Sequence, residues 1–154
     1  MIKVEWIYDE HNKTPEGTYN QLLSKLKQER EYKLLYFQAA NIKNPEKGKC
    51  WCQDCNNNAE ALEQVVLNED TKIELWRVVA SWRRRDWVDE NGKPLLTNPF
   101  RDTENPWMIP GLPHARLVKY NETTGLVILQ KTDKPNREGI QYLLSRSKFM
   151  KFNF

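Results

Sequence analysis

Two neighbouring stretches decide how this chain is read: Tyr32-Lys33-Leu34-Leu35-Tyr36-Phe37-Gln38-Ala39-Ala40 and Cys50-Trp51-Cys52-Gln53-Asp54-Cys55. The first is a near-continuous apolar run of strand length. Such a run suits a strand buried on both faces, as in a central sheet under helices. Between the two lies NIKNPEKGK, a polar loop carrying Pro45 and Gly48. After the cysteines, Ala59, Leu62, Val65 and Val66 recur at helical spacing up to about Asn68. Cys52-Gln53-Asp54-Cys55 therefore stands where a strand and a loop deliver the chain to the start of a helix.

That placement carries chemistry. A cysteine at a helix N-terminus faces unpaired N–H groups and the positive end of the macrodipole, and both stabilise its thiolate. The residue three positions on sits one turn deeper and is more shielded. Cys52 is thus the expected nucleophile toward a substrate disulfide, and Cys55 the thiol that resolves the mixed disulfide. Asp54 suits the dipole as a first-turn acid, but its charge opposes a nearby thiolate, and the two effects are expected to offset. Cys50 reads as an exposed loop residue of no consequence or as a regulatory thiol oxidised against Cys52 or a partner. The metal alternative is a zinc set of Cys50, Cys52, Cys55 and His114. It is the weaker reading, because there is no second C-x-x-C and the other histidine is His11. No bound metal is expected.

Working outward, Val4 to Tyr8 reads as a first strand. Thr14-Pro15 reads as a helix start, with Thr as cap and Pro at the first helical position. Tyr19, Leu22, Leu23 and Leu26 then fall on one helix face. Lys72 to Ala80 is another buried strand. Residues 81–110 form a long connection holding Trp82, Trp87 and Trp107; loops of this length are uncommon without structure or function of their own. His114 to Tyr120 and Leu126 to Lys131 alternate as two strands around Thr124-Gly125. Asn136 to Phe149 closes the chain with Ile140, Leu143 and Leu144 on a helix face. The order β-α-β-α-β, connection, β-β-α predicts an α/β fold with a parallel core and an antiparallel edge, four or five strands under helices, and one domain over 1–154.

Composition agrees with one ordinary core. The chain has 154 residues, 39% hydrophobic and 29% charged, with six Trp, six Tyr and five Phe. No stretch of 18 apolar residues exists, so no transmembrane helix is expected. The start, MIKVEWIYDEHNK, has no apolar core like that of a secretory leader. The three cysteines lie within six residues, unlike the spread framework of a disulfide scaffold. A reducing, cytoplasmic setting is the expectation.

Trp51-Cys52-x-Asp54-Cys55 after a strand resembles thioredoxin-like proteins, and more closely the thioredoxin domain-containing 17 group of 14-kDa thioredoxin-related proteins, whose motif is W-C-P-D-C. Tyr36-Phe37, the Trp-rich connection with Phe100-Arg101, and Ile109-Pro110-Gly111-Leu112-Pro113 leading into Arg116-Leu117-Val118-Lys119-Tyr120 extend the resemblance over about residues 2–150. The resemblance implies a thioredoxin-like fold and a protein-disulfide reductase with Cys52 and Cys55 as the redox pair. It implies that Pro113 is a cis-proline facing the pair, leaving the Leu112 backbone free to pair with a substrate peptide. It also implies no bound cofactor, disulfide-containing protein substrates, and electrons from an NADPH-dependent, thioredoxin reductase-type donor. A dynein light chain or signalling partner is a further implication. Gln53 departs from the family's Pro, which bears on the reduction potential. Tyr36 stands about where thioredoxin proper keeps a buried Asp, and His114 where Thr is common; His114 either tunes the thiols or occupies the rim.

Two other functions compete for these residues. Arg83-Arg84-Arg85 between Trp82 and Trp87 has the cations and rings of a nucleic-acid site, but Asp86, Asp89 and Glu90 dilute the field. No nucleic acid and no membrane is expected as a partner. The remaining alternative is an adaptor whose thiols are not used.

Overall fold

The computed structural model describes residues 1–29, 31–105, 107–132 and 136–150. Five strands form one sheet: β1 (Val4–Ile7), β2 (Lys33–Ala39), β3 (Glu74–Ser81), β4 (His114–Asn121) and β5 (Gly125–Thr132). Three helices accompany them: α1 (Pro15–Gln28), α2 (Gln53–Asn68) and α3 (Arg137–Met150). The spatial order is β1-β3-β2-β4-β5. β1 and β2 both run parallel to β3, whereas β4 is antiparallel to β2 and β5 antiparallel to β4. This is the α/β, thioredoxin-like arrangement of a mixed sheet between helices, with five strands.

The central position of β2 explains its composition. It has a strand on each side and a layer on each face, so every one of its residues is buried. Side chains alternate across it. Leu34 and Tyr36 join Leu62, Val65, Leu117, Ile140, Leu143 and Leu144 on the face covered by α2 and α3. Leu35 and Phe37 join Leu22 and Leu26 of α1 on the other face. Lys33 interrupts this pattern: although only 2% exposed, its ammonium pairs with Glu29 at 2.9 Å and Glu74 at 3.4 Å.

Thr14 caps α1 as expected. Its hydroxyl accepts from the Gly17 amide at 3.1 Å, and Pro15 occupies the first turn. Thr18, polar in sequence, is fully buried because its hydroxyl accepts from the Asp9 amide at 3.2 Å.

The connection after β3 is not a loose loop. Trp87, Phe100, Trp107 and Ile109 pack with α1 and the sheet in one cluster, and Phe37 meets Phe100 and Trp107 edge-on at 5.8 and 5.4 Å. Trp82 is buried against Val79 and Ala40. Polar staples hold the backbone. Asn98 donates to the carbonyls of Ala80 (3.0 Å) and Asp86 (2.8 Å) and accepts from the Phe100 amide (2.9 Å). Arg101 donates to the Trp87 and Pro110 carbonyls, both at 2.9 Å, and its guanidinium lies 4.2 Å from the Trp87 ring centroid. With Trp82 and Trp87 buried, neither ring is available as a stacking platform beside Arg83, Arg84 and Arg85.

For His114 one of the two expected readings, the rim, is corrected. It is neither at a rim nor exposed: it begins β4 opposite Phe37, is fully buried, and its Nε2 accepts from Arg116 Nε at 2.9 Å. Among the described residues, no helix is long and apolar enough to cross a membrane.

Candidate active site

The site is assembled from three segments: the end of β2, the start of α2, and the turn before β4. Cys52 is the N-cap of α2, with extended backbone (φ −86°, ψ 105°), and its sulfur accepts from the Cys55 amide at 3.3 Å. The thiol thus takes the place that a Ser or Thr oxygen usually fills at a cap. On its other side it faces the Leu112 carbonyl at 3.7 Å. The Leu112–Pro113 peptide is cis. Cys52 and Cys55, each 6% exposed, form one buried cluster with Ala39, packed by Cys50, Trp51 and Leu112.

Trp51 and Gln53 flank the pair differently. The Trp51 indole donates to Ser81 Oγ at 3.0 Å, and Ser81 donates to the Asp86 carboxylate at 2.6 Å. Asp86 also accepts from the Trp82 and Arg83 amides at 3.0 and 3.1 Å. The motif is thereby tied to the connection after β3. Gln53 is exposed and donates to Asn57 one turn on, at 2.7 Å. Asp54 is exposed in the first turn.

Cys50 is not the plain loop thiol that was one of its two expected readings. It is half-buried and clamped by Asn56. The Cys50 amide donates to Asn56 Oδ1 (3.0 Å), and Asn56 Nδ2 donates to the Cys50 carbonyl (2.9 Å). Its thiol lies 3.4 Å from the same Oδ1 and 3.5 Å from the Cys52 carbonyl. Loop residue and helix are thus locked together.

The three thiols share their protons unequally. Cys55 is held far above the ordinary thiol range, because it hydrogen-bonds Cys50 and Cys52 and because burial disfavours its thiolate. Cys50 is lowered to about 7, first by the Cys55 thiol, against burial, and then by backbone amides. Cys52 is also lowered, first by the Cys55 thiol and then, against burial, by the Cys55 amide; the charges of Cys50 and Asp54 push it back. The Asp54 penalty is therefore present but does not win.

Tyr36 and Arg77 lie behind the thiols as cross-strand neighbours. Burial raises Tyr36 above its already high ordinary value, so it stays a neutral phenol and no tyrosinate is present to accept a proton. Arg77 donates to Gln38 at 2.7 Å and lies 4.1 Å from the Trp6 ring centroid. Arg77, Gln38, Asn56, Cys50 and Cys55 line a cavity of about 200 Å³ that Cys52 does not reach. The sequence reading passed over Asn56, Ser81, Gln38 and Arg77. A signal existed for the last two: each is a polar residue inside a buried strand.

Among the described residues, no group of three or more His, Cys, Asp or Glu side chains is arranged to hold a metal ion. His114, the fourth ligand of the zinc alternative, is engaged by Arg116 within the sheet.

The sheet order, and the placement of the dithiol at a helix start beside the turn before β4, are those of a thioredoxin-like fold. No protein-family model and no curated protein matches it. Among solved structures, that of chloroplastic thioredoxin z is similar over 96% of this chain and 96% of its own, at 18% identity and a TM-score of 0.49.

Proposed function

We propose that this chain is a thiol–disulfide oxidoreductase acting as a protein-disulfide reductase. The observation that carries the reading is Cys52 itself. Its sulfur is bonded to the Cys55 amide at the helix start, faces the Leu112 carbonyl, and has a proton-holding thiol one turn behind it. The Cys52 thiolate attacks one sulfur of a substrate disulfide and forms a mixed disulfide. Cys55 loses its proton as it attacks the Cys52 sulfur, the substrate leaves as a thiol, and a Cys52–Cys55 disulfide remains. Trp51, Gln53 and Asp54 shape the approach, and Leu112 and Pro113 form the surface against which a substrate backbone lies.

The substrates are disulfide-containing proteins. No cofactor is held; an NADPH-dependent, thioredoxin reductase-type donor returns the pair to dithiol by exchange, in a reducing compartment such as the cytoplasm. The W-C-x-D-C motif supports kinship with the 14-kDa thioredoxin-related group.

The test is Cys55→Ser, with and without Cys50→Ser, in a cytosolic extract resolved on non-reducing gels. Adducts that dissolve with reductant and vanish with Cys52→Ser are expected. If nothing is trapped while wild type and Cys52→Ser retain the same partners, the protein is an adaptor.

A further inference from the structure

The dithiol reading uses two cysteines and leaves the third, although Cys50 is neither remote nor free to wander. Asn56 fixes its backbone through two hydrogen bonds, and its thiol lies within 3.4 Å of that side chain. Cys55 borders both of the other cysteines: it shares one buried cluster with Cys52, and it shares the 200 Å³ cavity with Cys50. Cys52 does not line that cavity.

We infer that Cys50 is a third redox thiol, which takes the disulfide over from Cys52 by attacking Cys55. The inference rests on the reductase reading, which supplies the first disulfide. The Cys50 thiolate attacks the Cys55 sulfur of the Cys52–Cys55 disulfide. The Cys50–Cys55 bond forms, the Cys52–Cys55 bond breaks, and the electron pair leaves on Cys52 as its thiolate. Nothing is oxidised or reduced overall, and no further reactant is needed.

The exchange is balanced for a physical reason. The rate and position of thiol exchange follow the stability of the leaving thiolate. Cys50 and Cys52 are both cysteine thiols bordering the same Cys55, one across the cavity and one in the buried cluster, so the exchange trades one alkyl thiolate for another. A direct Cys50–Cys52 bond is disfavoured, because two cysteines separated by one residue reach the usual disulfide geometry only with strain.

The product has a distinct property. Cys52 is again a thiolate at the helix start, but Cys55 is occupied. A second substrate attacked by Cys52 then has no resolving thiol, and its mixed disulfide persists. Cys50 converts a turnover catalyst into a covalent holder until reductant arrives.

The experiment is two-colour labelling of the intact protein. The reduced protein is oxidised with a disulfide oxidant such as diamide, quenched in acid, treated with iodoacetamide, reduced, and treated with N-ethylmaleimide. Label positions are then read by peptide fragmentation. The first label should divide between Cys50 and Cys52, neither below about one-tenth of the total, which is an exchange constant within about tenfold of unity. Cys55 should carry the second label only. Cys52→Ser, which keeps an oxygen at the cap, should still close a Cys50–Cys55 disulfide. A first label on Cys50 alone, or a Cys52→Ser protein that keeps both thiols free, overturns the inference and leaves the reductase reading intact. A first label on all three cysteines overturns both.

Discussion

The side chain of Asn56 pairs with the backbone of Cys50 much as a neighbouring strand would, donating to its carbonyl at 2.9 Å and accepting from its amide at 3.0 Å. A helix side chain thereby sets the position of a loop thiol. Asn56→Ala should release Cys50 from the Cys55 thiol that lowers its pKa to about 7. At pH 7 the thiolate fraction would fall, partly offset by the greater nucleophilicity of the more basic sulfur. Alkylation at Cys50 should then slow by about five- to tenfold. Site-resolved iodoacetamide rates measure this; an unchanged Cys50 rate would show that Asn56 does not hold the thiol.

The same protons give the reduced protein a pH signature. A thiol whose folded pKa lies below its unfolded value adds stability that is fully present above the unfolded value and lost as pH falls through the folded one. For Cys50 that window runs from about 7 to the ordinary 9.0, and Cys52 acts in the same direction. Cys55 is raised, so its contribution is present below 9 and is lost as pH rises further. Denaturant midpoints of the reduced protein should therefore climb from pH 7 toward 9 and then turn down. Replacing both Cys50 and Cys52 with Ser should remove the climb.

Asn98 tests whether the connection after β3 is part of the core. Asn98→Ala leaves two carbonyls and one amide without this partner. At about 1–3 kcal/mol for each buried group left unpaired, a total loss of about 2–4 kcal/mol is expected after partial relaxation. Urea unfolding of the variant reads it directly, and a loss near zero would mean the connection is held by its aromatic rings alone.

Leu62 projects from α2 into the cluster formed with α3 and β2. Leu62→Ala should cost about 2–5 kcal/mol, the range for emptying a packed leucine site. A thermal melt suffices, and a shift within error would place this helix face outside the core.

Tyr36→Phe is expected to go the other way. Among the described residues nothing hydrogen-bonds the buried Tyr36 hydroxyl. Removing it should leave stability unchanged or raise it by up to about 1 kcal/mol. Because the phenol stays neutral, the pH dependence of Cys52 alkylation should also be unmoved. A shifted profile would reveal a hydroxyl that serves the thiols.

Most of the frame was legible in the sequence for local reasons. The run from Tyr32 to Ala40 has no polar face because β2 has none to show, and Thr14-Pro15 announces α1 through its own cap chemistry. Cys52 and Cys55 were placed by their position after a loop and before a helical period. What escaped depended on pairings between distant positions. Nothing in Asn56-Asn57-Asn58 says which of three asparagines turns toward Cys50. His114 reads either as tuning the thiols or as occupying the rim until the register sets it opposite Phe37. The three Trp after β3 read as loop side chains packed on the domain, as they are, but which clusters they fill could not be read because they do not repeat along an element.

The contact between Cys52 and Leu112 also orders events during synthesis. The thiols are all present once residue 55 has been added, but the turn that shields Cys52 is not made until residue 113. At about 5–20 residues per second, the interval is about 3–12 s. Throughout it the Cys52 sulfur lacks its Leu112 contact, and β2 lacks the antiparallel neighbour that completes the centre of the sheet. The ribosome thus produces the Cys52 thiol well before its enclosure, and until residue 113 has joined the chain this sulfur has no cover on its Leu112 side.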